Sequence, residues 1–492
     1  MAALARRAWC LIAALVAVLP PANAAVTVGL ATPPASLDPR YAGDAISDRL
    51  CRLVYEALVD FDASFRPVPA LASWERVDER RYRFRVASGH RFHDGNPLTA
   101  EDVVATYRAI LDPAYASPRR GPLAGISAVR AIDAVTVEFE LAEPDPLFPG
   151  KLTVGILPQE RALARTPVGD PVGSGPFAMV GRLDGRGLTL RRLRDSEHFR
   201  FEVVPNETVR ALKLAHGELD LVQGGLTPET AGWLAQQPGV TVSIVPGTTF
   251  TYLGVNLGSG PTRDPRLRRA IAQAIDRRAL VERVWRGQAR IADTLFGPGH
   301  WADGGGTPIA FDPGAARGTL AALGYDRAHP LVLSFKTSSD TLRLRLAQII
   351  QAELAEVGIR LEIQSYDWGT FYGDVKAGRF ELYSLSWVGL KLPDAYRHIF
   401  HSAARPPAGA NRGGYASPRA DALIEAAERV PDPDRRRPLY AELQGVLAGE
   451  LPIIPLWYED TVVAIRDGLA NYRTDADGDY DGLLNLARTK HD

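Results

Sequence analysis

Residues 340–364, DTLRLRLAQIIQAELAEVGIRLEIQ, indicate the fold class more clearly than any other stretch of the chain. The leucines and isoleucines at positions 342, 346, 349, 350 and 354 recur at the spacing of one helix face. Gly358 then ends the helix, and residues 359–364 alternate apolar with polar side chains, as a half-buried strand does. A helix, a glycine and a strand in this order form the repeating unit of sheets that are covered by helices.

The same order recurs elsewhere along the chain. Residues 206–222 predict a helix that stops at Gly217 and is followed by a strand. The capping-box sequence of residues 99–102 starts a helix between two predicted strands, residues 82–86 and 136–141. Residues 264 and 265, Asp-Pro, predict another helix start, and residues 380–387 a more apolar strand. The chain is therefore predicted to be an α/β protein with mixed sheets covered by helices. In such folds ligands bind at the carboxyl ends of strands or between domains.

The first 24 residues are predicted to be a cleaved signal peptide. Arg6 and Arg7 precede an apolar run, residues 9–19, that is too short to span a bilayer, and Ala22-Asn23-Ala24 fits a signal-peptidase site. Cys10 lies within the apolar run and away from the cleavage point, which argues against a lipid anchor on it. We therefore expect a soluble protein in the periplasm.

Charge and cysteine content exclude several classes of protein. Without Arg6 and Arg7, Lys+Arg falls from 57 to 55 against 58 acidic residues, a formal charge of −3. So balanced a surface gives no reason to expect nucleic acid or an anionic membrane as a partner. Cys51 would be the one cysteine left after cleavage, so no disulfide within the chain is expected.

Local motifs of catalysis are absent from the sequence. It contains no GxxxxGK[ST] phosphate loop, no HExxH and no GxSxG. Residues 173–177, GSGPF, resemble a glycine-rich loop, but Pro176 removes a backbone donor that a phosphate would need. A triad assembled only in space stays open as an alternative, so a secreted hydrolase is the distant alternative to a protein that is not an enzyme.

No cofactor or metal site is predicted. His398 and His401 could share one helix face, but no third ligand is evident nearby. His90 and His93 flank a turn, where bonds to the backbone are expected. The acidic tail of residues 475–482 fails the register of a calcium-binding EF-hand, because Tyr480 stands at the glycine position and Leu486 at the glutamate position. We interpret the tail as a solvated acidic turn, with a loose cation site as the alternative.

The order of several short segments resembles the family 5 extracellular solute-binding proteins, which bind dipeptides, oligopeptides or nickel for ABC importers. The most specific segment is residues 92–104, FHDGNPLTAEDVV. The others are SLDP (36–39), VYEALV (54–59), PALASWE (69–75), YRFRV (82–86), GSGPF (173–177), DPRLRRAI (264–271) and LPIIPL (451–456). They cover nearly the whole chain after the signal peptide.

The resemblance implies a two-lobed periplasmic binding protein fold of class II, in its large form with an extra subdomain. Lobe I would comprise residues 25–39, 171–248 and 463–492, the extra subdomain residues 40–170, and lobe II residues 249–462. A small ligand, a peptide or peptide-like compound as in the family, would lie between the lobes and be delivered to the permease subunits of an ABC transporter in the inner membrane. A monomer without a cofactor is implied.

The resemblance also implies which residues face the cleft. The expected ligand-binding residues come from the loop after the first strand, the glycine-rich loop, the crossover between lobes and the strand that ends at Trp387. They are Thr32, Ser36, Gly173, Ser174, Gly175, Tyr252, Asn256, Ser386, Trp387, Lys391 and Asp394. Trp387 would form a flat wall, with ordinary core as the alternative for it.

One position departs from the pattern of the peptide binders. Those relatives carry an aspartate shortly after the tryptophan, where it pairs with the ammonium group of the ligand. Leu390 or Lys391 stands there in this chain, and Asp394 matches a later aspartate. If Lys391 faces the cleft, it repels an ammonium and attracts a carboxylate or phosphate, which favours a blocked peptide or another anionic solute. The alternative is that Lys391 is a solvated loop residue.

Several functions therefore stay open at this point. The leading one is an import receptor for a peptide or peptide-like solute. A receptor for a metal–chelator complex predicts that His398 or His401 points into the cleft. A receptor that signals, or a chaperone, would use the same fold.

Overall fold

The computed structural model describes residues 25–183, 187–258, 260–326 and 328–489. The predicted signal peptide (1–24), Cys10 within it and the last three residues assigned to lobe I (490–492) lie outside the described residues.

The strands are β1 Val26–Leu30, β2 Val59–Phe61, β3 Pro67–Pro69, β4 Ala72–Arg76, β5 Arg81–Val86, β6 Ile126–Ala131, β7 Thr136–Leu141, β8 Phe177–Leu183, β9 Gly187–Arg192, β10 His198–Val203, β11 Leu221–Gln223, β12 Val240–Val255, β13 Ala289–Ile291, β14 Leu331–Ser338, β15 Ile359–Tyr366, β16 Leu382–Trp387, β17 Ile453–Arg466, β18 Leu469–Ala470 and β19 Ala487–Arg488.

The helices are α1 Ala45–Val54, α2 Ala100–Leu111, α3 Arg120–Leu123, α4 Gln159–Ala162, α5 Glu207–His216, α6 Pro228–Leu234, α7 Pro265–Ala274, α8 Arg277–Ala279, α9 Pro313–Ala322, α10 Thr341–Glu356, α11 Trp368–Lys376, α12 Ala395–Phe400, α13 Pro418–Arg429 and α14 Pro433–Glu450. None of these helices is long and apolar enough to cross a membrane.

Most strands belong to one mixed sheet that runs through both lobes. Its order is β15-β14-β16-β12-β17-β11-β1-β10-β9-β8, with β13 on β17. The long strands β12 and β17 pair antiparallel from Val240–Arg466 at one end to Gly254–Ile453 at the other. Their register shifts between Val245 and Thr249, so the pairing continues from one lobe to the other through an irregular step. This step is the hinge of the molecule.

A small polar cluster holds the hinge. The Asp460 carboxylate accepts hydrogen bonds from the Gly247 N–H (3.0 Å) and from Nε of Arg290 (2.9 Å). Arg290 also donates to the Gly247 carbonyl. A side chain at Gly247 would collide with the Glu459 carbonyl, so the close approach of β12 and β17 at this point requires glycine.

Separate apolar cores lie on either side of the hinge. Two clusters cover the two faces of the lobe II sheet, one around Trp457 and the other around Phe250 and Tyr396. A third spans Leu58 to Ile156 and packs aliphatic side chains around aromatic residues of β5, β7 and α2. Two smaller clusters lie in lobe I, and α1 packs in the larger of them. From these cores we infer the two lobes and the extra subdomain, with the core of the subdomain inside the range 40–170.

The segments that predicted the fold adopt the predicted structures. Helix α10 and strand β15 are joined through Gly358, whose φ is +96°, and α5 ends at Gly217 with φ +82°. Thr99 and Asp102 form the reciprocal hydrogen bonds of a capping box at the start of α2. Strand β16 starts at Leu382, two residues later than predicted.

The GSG segment of residues 173–175 serves as a packing element, because α1 leaves no room for side chains there. A Cβ atom on Gly173 would collide with the Val54 carbonyl oxygen, and one on Gly175 would lie 2.7 Å from the Leu53 carbonyl oxygen. The Gly175 N–H donates to Val54 O (2.8 Å), and the His93 N–H donates to Gly173 O (2.8 Å). The FHDG turn, the glycine loop and the end of α1 therefore form one structural junction.

We predict that Gly173→Ala lowers the free energy of unfolding by roughly 1–3 kcal/mol, the usual cost of overpacking. Gly169→Ala is the matched control, since a Cβ atom at Gly169 has no neighbour within 4 Å. Urea unfolding of both variants followed by circular dichroism measures the difference. Equal midpoints for the two variants would contradict the packing role.

Candidate ligand-binding cleft

The direction of the strands places two sheet edges opposite each other at the hinge. In lobe II, β14 is parallel to both β15 and β16, so these strands end at one edge of the sheet. In lobe I, β1 is parallel to β10 and β11, and they also end together. Trp387, at the end of β16, is paired with Phe250 close to the hinge. The carboxyl ends of the strands thus border a cleft between the lobes, where ligands bind in sheets of this kind.

A wall of aromatic side chains and one arginine lies at this edge of lobe II. It consists of Trp368, Tyr372, Trp387 and Arg412, here called the Arg412 wall. The guanidinium carbon of Arg412 lies 4.8 Å from the ring centroid of Trp387 and 5.5 Å from that of Tyr372. Trp368 stacks on Tyr372 at 5.4 Å and is 59% exposed. The wall therefore offers exposed aromatic surface beside a positive charge.

The Arg412 charge has polar partners but no acidic one among the described residues. Its Nη1 donates to the Tyr252 hydroxyl (2.9 Å) and its Nη2 to the Tyr372 hydroxyl (3.3 Å). Guanidinium groups bind carboxylates bidentately and strongly. Arg412 can therefore meet an anionic group of a ligand without giving up an ion pair.

His398 lies on the same side as the wall. Its ring is T-shaped to Trp387 at 6.1 Å, and the side chain is exposed. Burial, and then the nearby Arg412 charge, lower the pKa of His398 below its ordinary value, so the ring is neutral at pH 7. His401, in contrast, is buried and contacts Glu425 (3.4 Å), away from Trp387.

Ser386 points to the opposite face of the sheet from Trp387, since side chains alternate along a strand. Its hydroxyl contacts Thr251 Oγ1 (2.7 Å) and Glu459 Oε1 (3.2 Å). The Glu459 carboxylate also accepts from Arg343 (2.7 Å). Ser386 was predicted to bind ligand, and its hydroxyl is engaged in this cluster, in which an arginine balances the carboxylate.

Lys391 joins lobe II to lobe I through a buried ion-pair cluster. Its Nζ lies 2.7 Å from Asp477 Oδ2 and 3.0 Å from Asp479 Oδ2, and the three side chains are 18%, 14% and 10% exposed. Arg52 on α1 also pairs with Asp479 at 3.0 Å. Burial lowers the pKa of Lys391, but the two carboxylates outweigh burial and raise it above its ordinary value.

This cluster corrects two expectations from the sequence. Lys391 is neither a solvated loop residue nor a free cation that attracts a ligand carboxylate, because two aspartates already neutralise it. The acidic tail is not a solvated turn either, since Asp477 and Asp479 bind the lysine. Sequence could not pair these residues, since 86 positions separate Lys391 from Asp477.

Three other predicted site residues, Thr32, Tyr252 and Ser36, lie in different parts of the structure. Thr32 is exposed just after β1, at the lobe I edge of the cleft. Tyr252 is buried behind Arg412 and supports the wall. Ser36 caps a turn, with its hydroxyl accepting from Asp38 N–H (3.0 Å).

Asn256, Asp394 and the glycine loop make structural contacts. Asn256 follows the end of β12 remote from the hinge and donates to Phe380 O (2.8 Å). Asp394 lies 3.8 Å from Lys151, on the contact between lobe II and the extra subdomain. Gly173, Ser174 and Gly175 belong to the junction with α1.

Reasoning from sequence missed Arg412, Tyr372 and Trp368. Arg412 lies in a loop that has no periodic pattern, and it meets Tyr252 across 160 positions. The one local signal was Trp368 at the first position of a helix whose cap, Asp367, follows a strand.

Comparison with known proteins agrees with this architecture. Residues 65–405 match the family model of bacterial extracellular solute-binding proteins, family 5 middle. The chain is 29% identical over 486 residues to di/tripeptide-binding protein 2 of Pseudomonas aeruginosa (strain UCBPP-PA14), covering 89% of this chain and 90% of that protein.

Two solved structures show the same fold. NikA from Brucella suis in complex with Fe(III)-EDTA superposes with a TM-score of 0.85 at 22% identity, covering 94% of this chain and 99% of that chain. The periplasmic binding protein DppA from Helicobacter pylori in complex with the peptide STSA superposes with a TM-score of 0.78 at 25% identity, covering 94% and 98%.

We predict that Lys391→Met lowers the free energy of unfolding by on the order of 3 kcal/mol at pH 7.5, because it leaves two carboxylates buried without their lysine. In the variant the pKa values of these carboxylates rise above their unfolded values. Their penalty is therefore largest at neutral pH and shrinks as the pH falls toward 4.5.

Thermal unfolding at both pH values, with native protein beside the variant, measures this effect. Arg419→Met is the control, because the Arg419–Glu442 pair is exposed, at 69% and 51%, and such pairs contribute little. A Lys391→Met protein as stable as the control at pH 7.5 would contradict the role of the cluster.

Proposed function

The chain belongs to the bacterial extracellular solute-binding proteins of family 5, and on that premise we propose that it captures a short peptide or peptide-like solute that carries a carboxylate. The solute binds between the lobes in the periplasm, and the closed protein delivers it to the permease of an ABC importer. The protein acts as a monomer and does not catalyse a reaction.

The observation that carries this proposal is Arg412. It is a half-buried guanidinium between two aromatic rings, and the described residues provide no carboxylate for it. Every short peptide with a free C-terminus has a carboxylate that fits such a group. The name of the Pseudomonas relative and the STSA peptide bound by DppA support a peptide as the class of ligand.

Charge balance in the rest of the cleft agrees with an anionic end group. Glu459 is paired with Arg343, and Asp477 and Asp479 are paired with Lys391. Glu229 in lobe I pairs with Arg345 of lobe II at 2.9 Å. These carboxylates are already neutralised, whereas the charge of Arg412 is not.

Domain closure explains capture and release. A ligand that contacts both lobes stabilises the closed state, since only that state makes both sets of contacts. The contacts between Glu229 and Arg345 and between Lys391 and the acidic tail cross the cleft, so closure also forms ion pairs. The permease would bind the surface that the protein presents in its closed state.

A metal–chelator complex is a second candidate ligand, favoured by the exposed His398 beside Trp387. The described residues contain no group of three His, Cys, Asp or Glu side chains placed to hold a metal ion. A metal would therefore arrive with its own chelator, and one histidine would add a ligand to it. The Fe(III)-EDTA complex of NikA supports this class of ligand.

A hydrolase receives no support from the cleft. Ser386 contacts Thr251 and Glu459, and this cluster contains no histidine to act as its base.

Mass spectrometry of the protein purified from periplasm and then denatured identifies the solute that it carries. Peptides in the released material support the proposal. A metal chelate favours the second candidate, and an anionic compound unrelated to peptides rejects the peptide class.

We predict that Arg412→Met weakens binding of di- and tripeptides by about 10- to 100-fold, since a hydrogen bond to a charged group contributes roughly 1.5–3 kcal/mol. Isothermal titration calorimetry with a peptide panel measures the change. Amidated peptides should bind the native protein and the variant equally well.

Arg360→Met is the control variant. Arg360 is exposed near the start of β15, at the other end of that strand from the cleft, and pairs with Glu362 (3.0 Å). If Arg412→Met and Arg360→Met bind the carboxylate peptides alike, Arg412 does not bind the ligand.

A further inference from the structure

A cavity lies at the hinge, enclosed by all three parts of the chain. It has a volume of about 80 Å³, and we call it the hinge cavity. Phe65 lines it from the extra subdomain and residues 246–248 line it from the crossover. Leu390 and Tyr458 line it from lobe II, and Ala476 from the C-terminal segment. Leu390 is three residues after Trp387, so the loop that follows the cleft wall also forms a wall of this cavity.

The lining of the hinge cavity is aromatic and aliphatic. The His300 ring stacks on Phe296 (4.2 Å) and on Phe65 (5.3 Å). The Tyr458 hydroxyl donates to Thr294 O (2.6 Å), so its polar atom is engaged in the protein. Apolar side chains therefore form the larger part of the lining of this small cavity.

The ionisable groups of the lining offer no free charge. Arg290 is paired with Asp460 at 2.9 Å. His300 accepts from the Ala302 N–H at Nδ1 (3.0 Å), which leaves Nε2 as the protonated nitrogen that donates to Lys391 O (3.1 Å). With one nitrogen accepting, the ring is neutral. Lys391 presents its carbonyl to His300, while its ammonium is held by Asp477 and Asp479.

We propose that the hinge cavity binds an uncharged apolar end group of the solute, such as a single aromatic ring. This inference rests on the proposed function, because it names a feature of the same solute. An ammonium or carboxylate entering the cavity would lose its hydration without gaining a counter-ion. An apolar group gains by leaving water and needs no polar partner.

The position of the cavity links this group to closure. Phe65, Leu390 and Ala476 come from three parts of the chain that meet at this cavity. An occupant contacts all three and therefore favours the closed state. The solute is then recognised at two places, by its anion at Arg412 and by its apolar end at the hinge.

The test uses indole as a neutral probe and benzylammonium as its charged counterpart. Saturation-transfer NMR on the native protein should show binding of indole and none of benzylammonium. Leu390→Trp fills the cavity and should abolish the indole signal. Val332→Trp is the matched control, because Val332 is 45% exposed on β14 and does not line the cavity.

A second variant is designed to bind benzylammonium in preference to indole. Leu390→Asp places a carboxylate in the cavity and should admit benzylammonium while weakening indole. Equal binding of the two probes to the native protein, or indole binding that persists in Leu390→Trp, would overturn the proposal. Absence of indole binding to the native protein overturns it as well.

Calorimetry with a dipeptide and its N-benzyloxycarbonyl derivative separates this inference from the proposed function. The derivative should bind at least about tenfold more tightly, a ratio that a single apolar group commonly produces in a fitted pocket. If both peptides bind equally, the peptide function stands and the cavity inference fails. If neither binds while indole binds as described, the peptide class fails and the cavity inference stands.

Discussion

The antiparallel pairing of β12 with β17 is the constraint on which the rest of the structure depends. The strands have 16 and 14 residues, and their hydrogen bonds continue from lobe I into lobe II. The lobes therefore share a backbone ladder and cannot separate, but the register shift after Val245 leaves a place where the ladder can bend. Gly247 permits the close approach there, and Asp460 with Arg290 determines its geometry. Closure is then a rotation about two strands, as in other hinge movements.

The directions of the strands place the candidate binding site beside this hinge. The parallel strands of each lobe end at the edge that faces the other lobe, so the loops with functional side chains meet across the cleft. Strand β16 ends beside the hinge at Trp387, and Arg412 lies on the ring of Trp387. Among the described residues, Glu459, Asp477 and Asp479 near the cleft are paired with cations of the chain, whereas Arg412 has tyrosine hydroxyls as its partners. This difference in charge balance is the basis of the proposed preference for an anionic ligand.

Prediction from the sequence was accurate where the signal is local. Helix α10, the Gly358 turn and β15 follow from side-chain spacing and from the one residue that adopts φ +96° without strain. The capping box at Thr99 and the end of α5 at Gly217 follow in the same way. For the site, the sequence predicted ligand contacts both from the strand that ends at Trp387 and from Gly173 to Gly175. The structure adds that Gly173 and Gly175 pack against backbone carbonyls at the end of α1, a contact between distant residues that the sequence does not reveal.

Sequence by itself determined the order of many helices and strands, because spacing and turn chemistry act over a few residues. The two-lobed fold and the family followed from the resemblance of several short segments to known solute-binding proteins. Tertiary structure alone decided which charges remain available in the cleft. Lys391 is neutralised by residues 86 and 88 positions away, and Arg412 is held by a tyrosine 160 positions away. Ion pairs depend on distances in space, and the chain brings these residues together only when both lobes are folded and closed.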